Sequence, residues 1–541
     1  MSTYQFAEVW ETVAGRLPSA PALLHGDETV DWATFDRRAD SLAAWLLEHG
    51  ATQDGTFAQY LYSSPAYLEC VYACWKLGIA PVNTNYRYGA EELVYLWDNA
   101  DTTTVAFHGV FADTVEPIVG RLPGVGRWLW VDDGTGPCPD WASPFGEATG
   151  ASPARVVPPW GRSPDDLFLI YTGGTTGLPK GVMWRQDDLF GAVNRSAPVR
   201  YPDDGSPADV APLLLRPGPS LVAAAPLMHG TGLFSSFGTL SSGGAVITLP
   251  ERRFSAESLL DAVVRHRAKG IALVGDAFAR PVLAALDAEP DRWDVSSLRI
   301  IMSSGVMWST EVKEGLLRHN PELILVDSLG SSEGLGTARA VSGNSPEATK
   351  GPTGRFAFGP YTQVFTEDGQ RVEPGSGERG LLAQRGRIPL GYYKDPEKSA
   401  RTFPVIDGER WSVPGDYATV EADGTIVLLG RGSACINTGG EKVFPEEVEE
   451  ALKTHPDVDD AVCVGLPDER FGERVVAVVA PVTGAHPDPG ELIDHVKGRL
   501  AHYKAPRQVL LVPALGRAAN GKADYRTLKD LAQRELGPPA S

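Results

Sequence analysis

A series of short apolar runs that stop abruptly at Gly, Ser, Thr, Pro or Asp constrains this chain more than any other feature. The runs are Leu167–Tyr171, Leu221–Pro226, Ala245–Leu249, Ile271–Gly275, Leu298–Ser303 and Leu323–Asp327. Apart from Arg299 and Thr248 the positions before each stop are apolar in succession, so both faces are buried, which predicts strands of a covered sheet. Between them lie helical patterns such as Ala256–His266, with Ser255 as a candidate N-cap. Strand and helix in alternation predict βαβ units and a mainly parallel sheet, in which ligands bind beyond the carboxyl ends of the strands. Chemistry is therefore expected at the polar residues that follow each run.

After about residue 350 the pattern changes to strands and turns, as in Gly377–Ala383 and Tyr417–Leu429. A smaller final unit follows Gly430-Arg431. Its first helix opens at Pro445, whose fixed φ suits a first helical position, with Glu446, Glu447 and Glu449 near the positive end. The 541 residues exceed what one compact core holds. The predicted fold class is α/β, with a large N-terminal region of βαβ subdomains and a β-rich portion over residues 1–430. A small C-terminal α+β domain spans 431–541.

Sixty-nine acidic residues against 49 Lys and Arg give a net charge of −20, which argues against a nucleic-acid partner or an acidic membrane surface. A phosphate ligand must then meet a local positive site. The five cysteines form no paired framework, as expected of reduced thiols in the cytoplasm. Cys70 and Cys74 lie one helical turn apart and read as small core residues. The first residues carry no basic region followed by an apolar run, and no stretch approaches the ~20 apolar residues of a membrane span, so a cytoplasmic protein without an integral membrane segment is expected.

The loop Tyr171-Thr-Gly-Gly-Thr-Thr-Gly-Leu-Pro-Lys-Gly181 follows one of the buried runs. Its glycines Gly173, Gly174 and Gly177 let backbone N–H groups approach phosphate oxygens, Thr175 and Thr176 add donors, and Lys180 adds charge. It is not a Walker A loop, because Pro179 precedes the lysine and Gly181 follows it.

The same eleven residues resemble the phosphate-binding signature of the adenylate-forming superfamily, and further segments match in the family's order across most of the chain. These are Pro226–Gly232, Ser304–Val306, Leu329–Glu333, Gly377–Gly380, Gly415-Asp416, Gly430-Arg431, Gly439–Glu449 and Asn520–Lys522. The chain looks most like bacterial fatty-acid CoA ligases, including those acting on steroid side chains. The resemblance implies ATP, Mg2+ and coenzyme A as cofactors, a small-molecule carboxylic acid as substrate, and a C-terminal lid that rotates between two half-reactions. A homodimer is one assembly open to it.

Roles carry over residue by residue. Thr172 and the loop, with Ser304, Gly305, Asp327, Leu329, Gly330, Ser331 and Ser332, would hold the nucleotide. Glu333 and Thr176 would hold the metal, and an ionised Asp416 offers two acceptors to the ribose hydroxyls. Arg431 would support ribose or phosphate at the joint between domains. Gly439, Gly440 and Lys442 would face the site in the second half-reaction. Lys522 would bring its charge to the α-phosphate during adenylation. The family often carries an aromatic residue at Leu329, a lysine or aspartate at Ser433 and a threonine at Pro414; here apolar contact replaces stacking on adenine.

His229 reads either as a pocket residue beside the carboxylate or as a satisfied core histidine. Phe234, Val274, Gly275, Phe278 and Val306 read as an apolar acyl pocket or as core packing. Gly330-Ser-Ser-Glu-Gly334 also fits a nucleophile elbow, with Ser332, Asp416 and His455 or His502 as a hydrolase triad. That reading leaves the Tyr171 loop and Lys522 unexplained. The acceptor stays open between CoA and a carrier-protein thiol, an amine or a diazotisation partner, and a non-catalytic binding protein is a third class, opposed by Lys180, Glu333, Asp416 and Lys522 standing together.

Overall fold

The structure, a computed structural model, describes residues 3–172, 179–305, 308–343, 354–431, 436–438, 441–468, 472–500, 502–518 and 521–537. These residues are organised by three sheets. The apolar runs supply the parallel centre of the first: Ala245–Thr248, Ser220–Ala223, Gly270–Leu273, Ile300–Ser304 and Ile324–Ser331, in that spatial order. Beyond them the direction reverses. Gly334–Gly343 returns antiparallel, and Arg355–Phe358, Ile426–Arg431, Asp416–Val420 and Gly380–Arg385 extend the sheet as the β-rich portion.

The run at residue 167 joins a different sheet. Leu167–Thr172 pairs in parallel with Ala80–Asn83 and antiparallel with Lys180–Arg185, in a second sheet that continues through Thr56–Tyr60 and Thr102–His108. An apolar run marks a strand without saying which neighbours it takes. The helix Ala256–His266 forms as expected, with Ser255 Oγ accepting from Ser258 N at 3.2 Å and Leu259, Leu260 and Val263 buried.

Aromatic side chains join the two sheets. Phe234 and Phe237, on the helix Gly230–Ser241, meet Phe168 of the second sheet edge-on at 6.1 and 5.8 Å. Such pairs contribute about 0.5–1.5 kcal/mol beyond the area they bury. The helix Pro65–Leu77 is buried on every side, Cys70 and Cys74 included. Its Lys76 is fully enclosed and answered by Glu11 at 3.0 Å, Asp36 at 2.7 Å and Asp40 at 3.1 Å.

The third sheet, built on the hairpin of Val458–Asp468 and Gly472–Pro481, carries the helices Pro445–Lys453 and Tyr525–Leu536. Pro445 takes the predicted first helical position. Buried Glu449 accepts from Cys463 N at 2.8 Å and Tyr525 Oη at 2.9 Å, tying both helices to the sheet. The molecule is thus a mixed α/β protein with a large N-terminal region and a small C-terminal one. Among the described residues no helix is long and apolar enough to cross a membrane.

Candidate active site

A cavity of about 640 Å3 lies along the first sheet, lined by the helix Gly230–Ser241 and by strands including Ile300–Ser304. At the carboxyl ends of the strands, where ligands are expected, it is bounded by Thr172, His229, Ser304, Gly305 and Lys522. Its titratable lining is basic throughout: Arg200, His229, Lys269, Arg299, Arg339 and Lys522. Among the described residues no carboxylate lines it. In a chain of net charge −20, that is the local positive site an anion requires.

Lys522 arrives from the C-terminal region on a fixed turn. Arg517, held by Asp460 at 2.5 and 2.7 Å, donates to Gly521 O at 3.1 Å, and Ala518 N donates to Lys522 O at 2.9 Å. Gly521 has φ +72, and a Cβ there would come within 3.2 Å of both Val274 O and Ala277 Cβ. Only glycine lets the turn lie this close to the wall. A methyl group on Gly305 would sit 3.9 Å from Lys522 Cε, so the two regions meet at the cavity's near end.

His229 precedes the helix Gly230–Ser241 in extended backbone. Burial pushes its pKa down to about 3, with the charges of Lys522 and then Arg87 acting in the same direction, so the imidazole is neutral at physiological pH. It lines the cavity. Asn83, which the sequence does not single out, fixes this corner. Its Oδ1 accepts from Tyr171 N at 2.6 Å, and its Nδ2 donates to Tyr171 O at 2.9 Å and Met228 O at 2.8 Å.

The carboxylate of Glu333 is held by Tyr392 Oη at 2.7 Å, and its carbonyl accepts from Ser412 Oγ at 2.6 Å. Trp184 Nε1 donates to Ser332 O at 2.9 Å. Lys180, at the head of Lys180–Arg185, pairs with Asp395. Tyr392 and Asp395 sit in one turn next to the short strand Gly391–Tyr392, which pairs with Lys180–Arg185, so one element grips both charged groups. Neither residue carries a motif in the sequence.

Leu329, Gly330 and Ser331 border a second, small pocket with Asp416, and Leu329 packs on the apolar cluster behind it. Asp416 stands opposite Arg431 in the ladder. Gly330, Ser331 and Ser332 also line the main cavity, as do Phe234 and Val274.

Three of the expected site residues, Asp327, Gly275 and Phe278, stand away from the cavity lining. Asp327 is buried beneath the site and paired with Lys313 at 2.5 Å; burial raises its pKa to about 6 against the pull of that lysine. Phe278 packs on Phe254 at 4.6 Å in the core outside the cavity, and Gly275 donates its N–H to Ser303 Oγ at 2.9 Å instead of lining the pocket. The nucleophile elbow fails as well: Ser332 leads into the antiparallel strand Gly334–Gly343, not into the helix an elbow needs. Gly173, Gly174, Thr175, Thr176, Gly177, Val306, Gly439 and Gly440 lie outside the described residues, as do the side chains of Arg431 and Lys442.

Two sheets, a small C-terminal α+β region, and a lysine from that region entering a cation-lined cavity at strand ends define the class of adenylate-forming enzymes. A family described as AMP-binding enzyme matches residues 10–393, and one described as AMP-binding enzyme C-terminal domain matches residues 447–522. The chain is 39% identical over 97% of its length, and 96% of the relative's, to a medium/long-chain-fatty-acid--CoA/3-oxocholest-4-en-26-oate--CoA ligase of Mycolicibacterium smegmatis. It is 38% identical to the 3-oxocholest-4-en-26-oate--CoA ligase of Rhodococcus rhodochrous, covering 97% of this chain and 95% of that one. Among solved structures, the anthranilate CoA ligase AuaEII in complex with anthranoyl-AMP superposes with a TM-score of 0.82 at 22% identity, over 98% of this chain and 97% of the other. The chain belongs to the AMP-binding enzyme family, as an AMP-forming acid–CoA ligase.

Proposed function

We propose that this enzyme activates a predominantly apolar acid of medium or greater length, of fatty-acid or sterol-derived type, as its acyl adenylate and then passes it to coenzyme A. The observation that carries the reading is the position of Lys522, which shares the near end of a long, largely apolar cavity with His229, Ser304 and Gly305. The names of the relatives support the acid class.

In the first half-reaction a carboxylate oxygen of the acid attacks the α-phosphorus of ATP; the new O–P bond forms as the bond to pyrophosphate breaks. Lys522 stabilises the charge on the pentacoordinate phosphorus and orients the attacking carboxylate. Lys180, with Thr175 and Thr176, neutralises the departing pyrophosphate once ATP displaces Asp395. Glu333 suits Mg2+, which takes one or two protein carboxylates together with phosphate oxygens, and Thr176 would complete the protein's share. When bound, the ion withdraws charge from the phosphates. Neutral His229 offers a hydrogen bond to the acid without adding charge.

In the second half-reaction the CoA sulfur attacks the acyl carbon; the C–S bond forms as the bond from that carbon to the phosphate oxygen breaks, AMP leaves with the electron pair and the thiol proton passes to solvent. Residues 1–430 and 431–541 would act as separate units, with Gly430 as the pivot; its φ of +118 is a conformation that glycine tolerates and other residues resist. Rotation there withdraws Lys522 and turns Gly439, Gly440 and Lys442 toward the site. A cytoplasmic location fits cysteines that are buried and unpaired at positions 70, 74 and 463. The test is pyrophosphate release over a panel of acids with and without CoA. Release that depends on a long apolar acid is expected; release without thioester when CoA is present would assign another acceptor.

A further inference from the structure

The cavity has a second end. Helix Gly230–Ser241 measures about 18 Å at 1.5 Å per residue, and the stretch from Gly305 back to Arg299 spans about 20 Å at 3.3 Å per residue. Both lead from the catalytic end to the amino-terminal edge of the parallel strands. There the wall changes character. Lys269 and Arg299 are neighbours in the sheet, joined by the bond from Arg299 N to Lys269 O at 2.9 Å, and both line the cavity. Arg200 reaches the same end, because the preceding Val199 N is held by Ser242 Oγ at 3.1 Å, just past the last turn of the helix.

These cations have little to do within the protein. Arg299 Nη1 donates to the carbonyls of Ser296 at 2.7 Å and Leu298 at 2.8 Å, which fixes the guanidinium without neutralising it. Lys269 is half-buried while Arg200 and Arg299 are exposed, and neither Lys269 nor Arg200 has an ion-pair or hydrogen-bond partner for its side chain among the described residues. A half-buried ammonium beside an apolar wall gains most from an anion brought by the ligand.

We infer that the far end, marked by Lys269, Arg299 and Arg200, is a subsite for an anionic oxygen group at the distal terminus of the acid, so that the enzyme is built for long acids carrying a second carboxylate. This rests on the acid–CoA ligase reading and names its substrate more narrowly. The near carboxylate meets Lys522, the chain between lies against residues such as Leu221 and Phe234, and the second carboxylate meets the far cations. A plain fatty acid leaves those cations to solvent.

The experiment compares kcat/KM for hexadecanedioate and hexadecanoate by pyrophosphate release at saturating ATP and CoA. The expected result is a preference for the diacid that falls about ten-fold in the double variant Lys269→Met with Arg200→Met, chiefly through KM, and that Lys269→Arg retains. The ratio of two substrates on one protein sample is unaffected by loss of folded enzyme. A ratio that is the same in wild type and double variant overturns the inference, as does a wild type that accepts hexadecanoate and rejects the diacid. Release with no acid of any kind would instead remove the ligase reading beneath it.

Discussion

On the proposed mechanism, Lys522 is the residue on which the chemistry turns. In sequence it is one lysine in a polar stretch, and its place at the cavity comes from the turn that Arg517 and Gly521 impose on it. Replacing it with Ala should slow acyl-adenylate formation by about 100- to 1,000-fold, while thioester formation from supplied acyl-AMP and CoA proceeds at near the wild-type rate; rapid-quench measurement of the two half-reactions checks this. His229 gives a prediction of different kind. Its pKa is about 3 when folded and near the usual 6.5 when unfolded, so the stabilisation from keeping it neutral is complete above pH 6.5. As pH falls below that, the unfolded chain takes up a proton the folded one refuses, and stability drops, by about 1–2 kcal/mol near pH 5. His229→Gln should flatten this slope in denaturant titrations run between pH 5 and 8.

Elements rather than residues explain what the sequence does and does not disclose. The strand runs, the Ser255 cap and the helix start at Pro445 were all legible, because each rests on local chemistry that the fold leaves unchanged. The partition of the strands between two sheets was not, since pairing depends on partners far away in the chain. The buried charge of Lys76 is not legible for a related reason: its helix is buried all round, so no polar face betrays it, and its three carboxylates come from other helices. The resemblance implies Asp327 as a nucleotide contact, yet Lys313, fourteen residues earlier in the chain, pairs with it. The turn carrying Tyr392 and Asp395 is the clearest omission, a short element without a motif that holds two groups the motifs do name. Tyr392→Phe leaves the Glu333 carboxylate without its phenolic donor. It should lower kcat/KM for MgATP by about ten-fold while KM for the acid changes little. A rise in the acid's KM alone would show that the turn serves the acyl cavity instead.

At the scale of the whole molecule, two regions contribute to one cavity. The large region supplies the strand ends, His229 and the apolar wall; the small one supplies Lys522. On the proposed mechanism both regions reach the acid terminus of a long substrate at once, and the order of the half-reactions follows from which part of the small region faces the cavity. The measurement that tests this most directly is simultaneous quantification of pyrophosphate, AMP and acyl-CoA from ATP, CoA and a long-chain acid. The account predicts acid-dependent release of all three in equal amounts with CoA present, and pyrophosphate with enzyme-bound acyl-AMP when CoA is withheld. Acid-independent pyrophosphate release, or AMP formed in the presence of CoA without thioester, would contradict it.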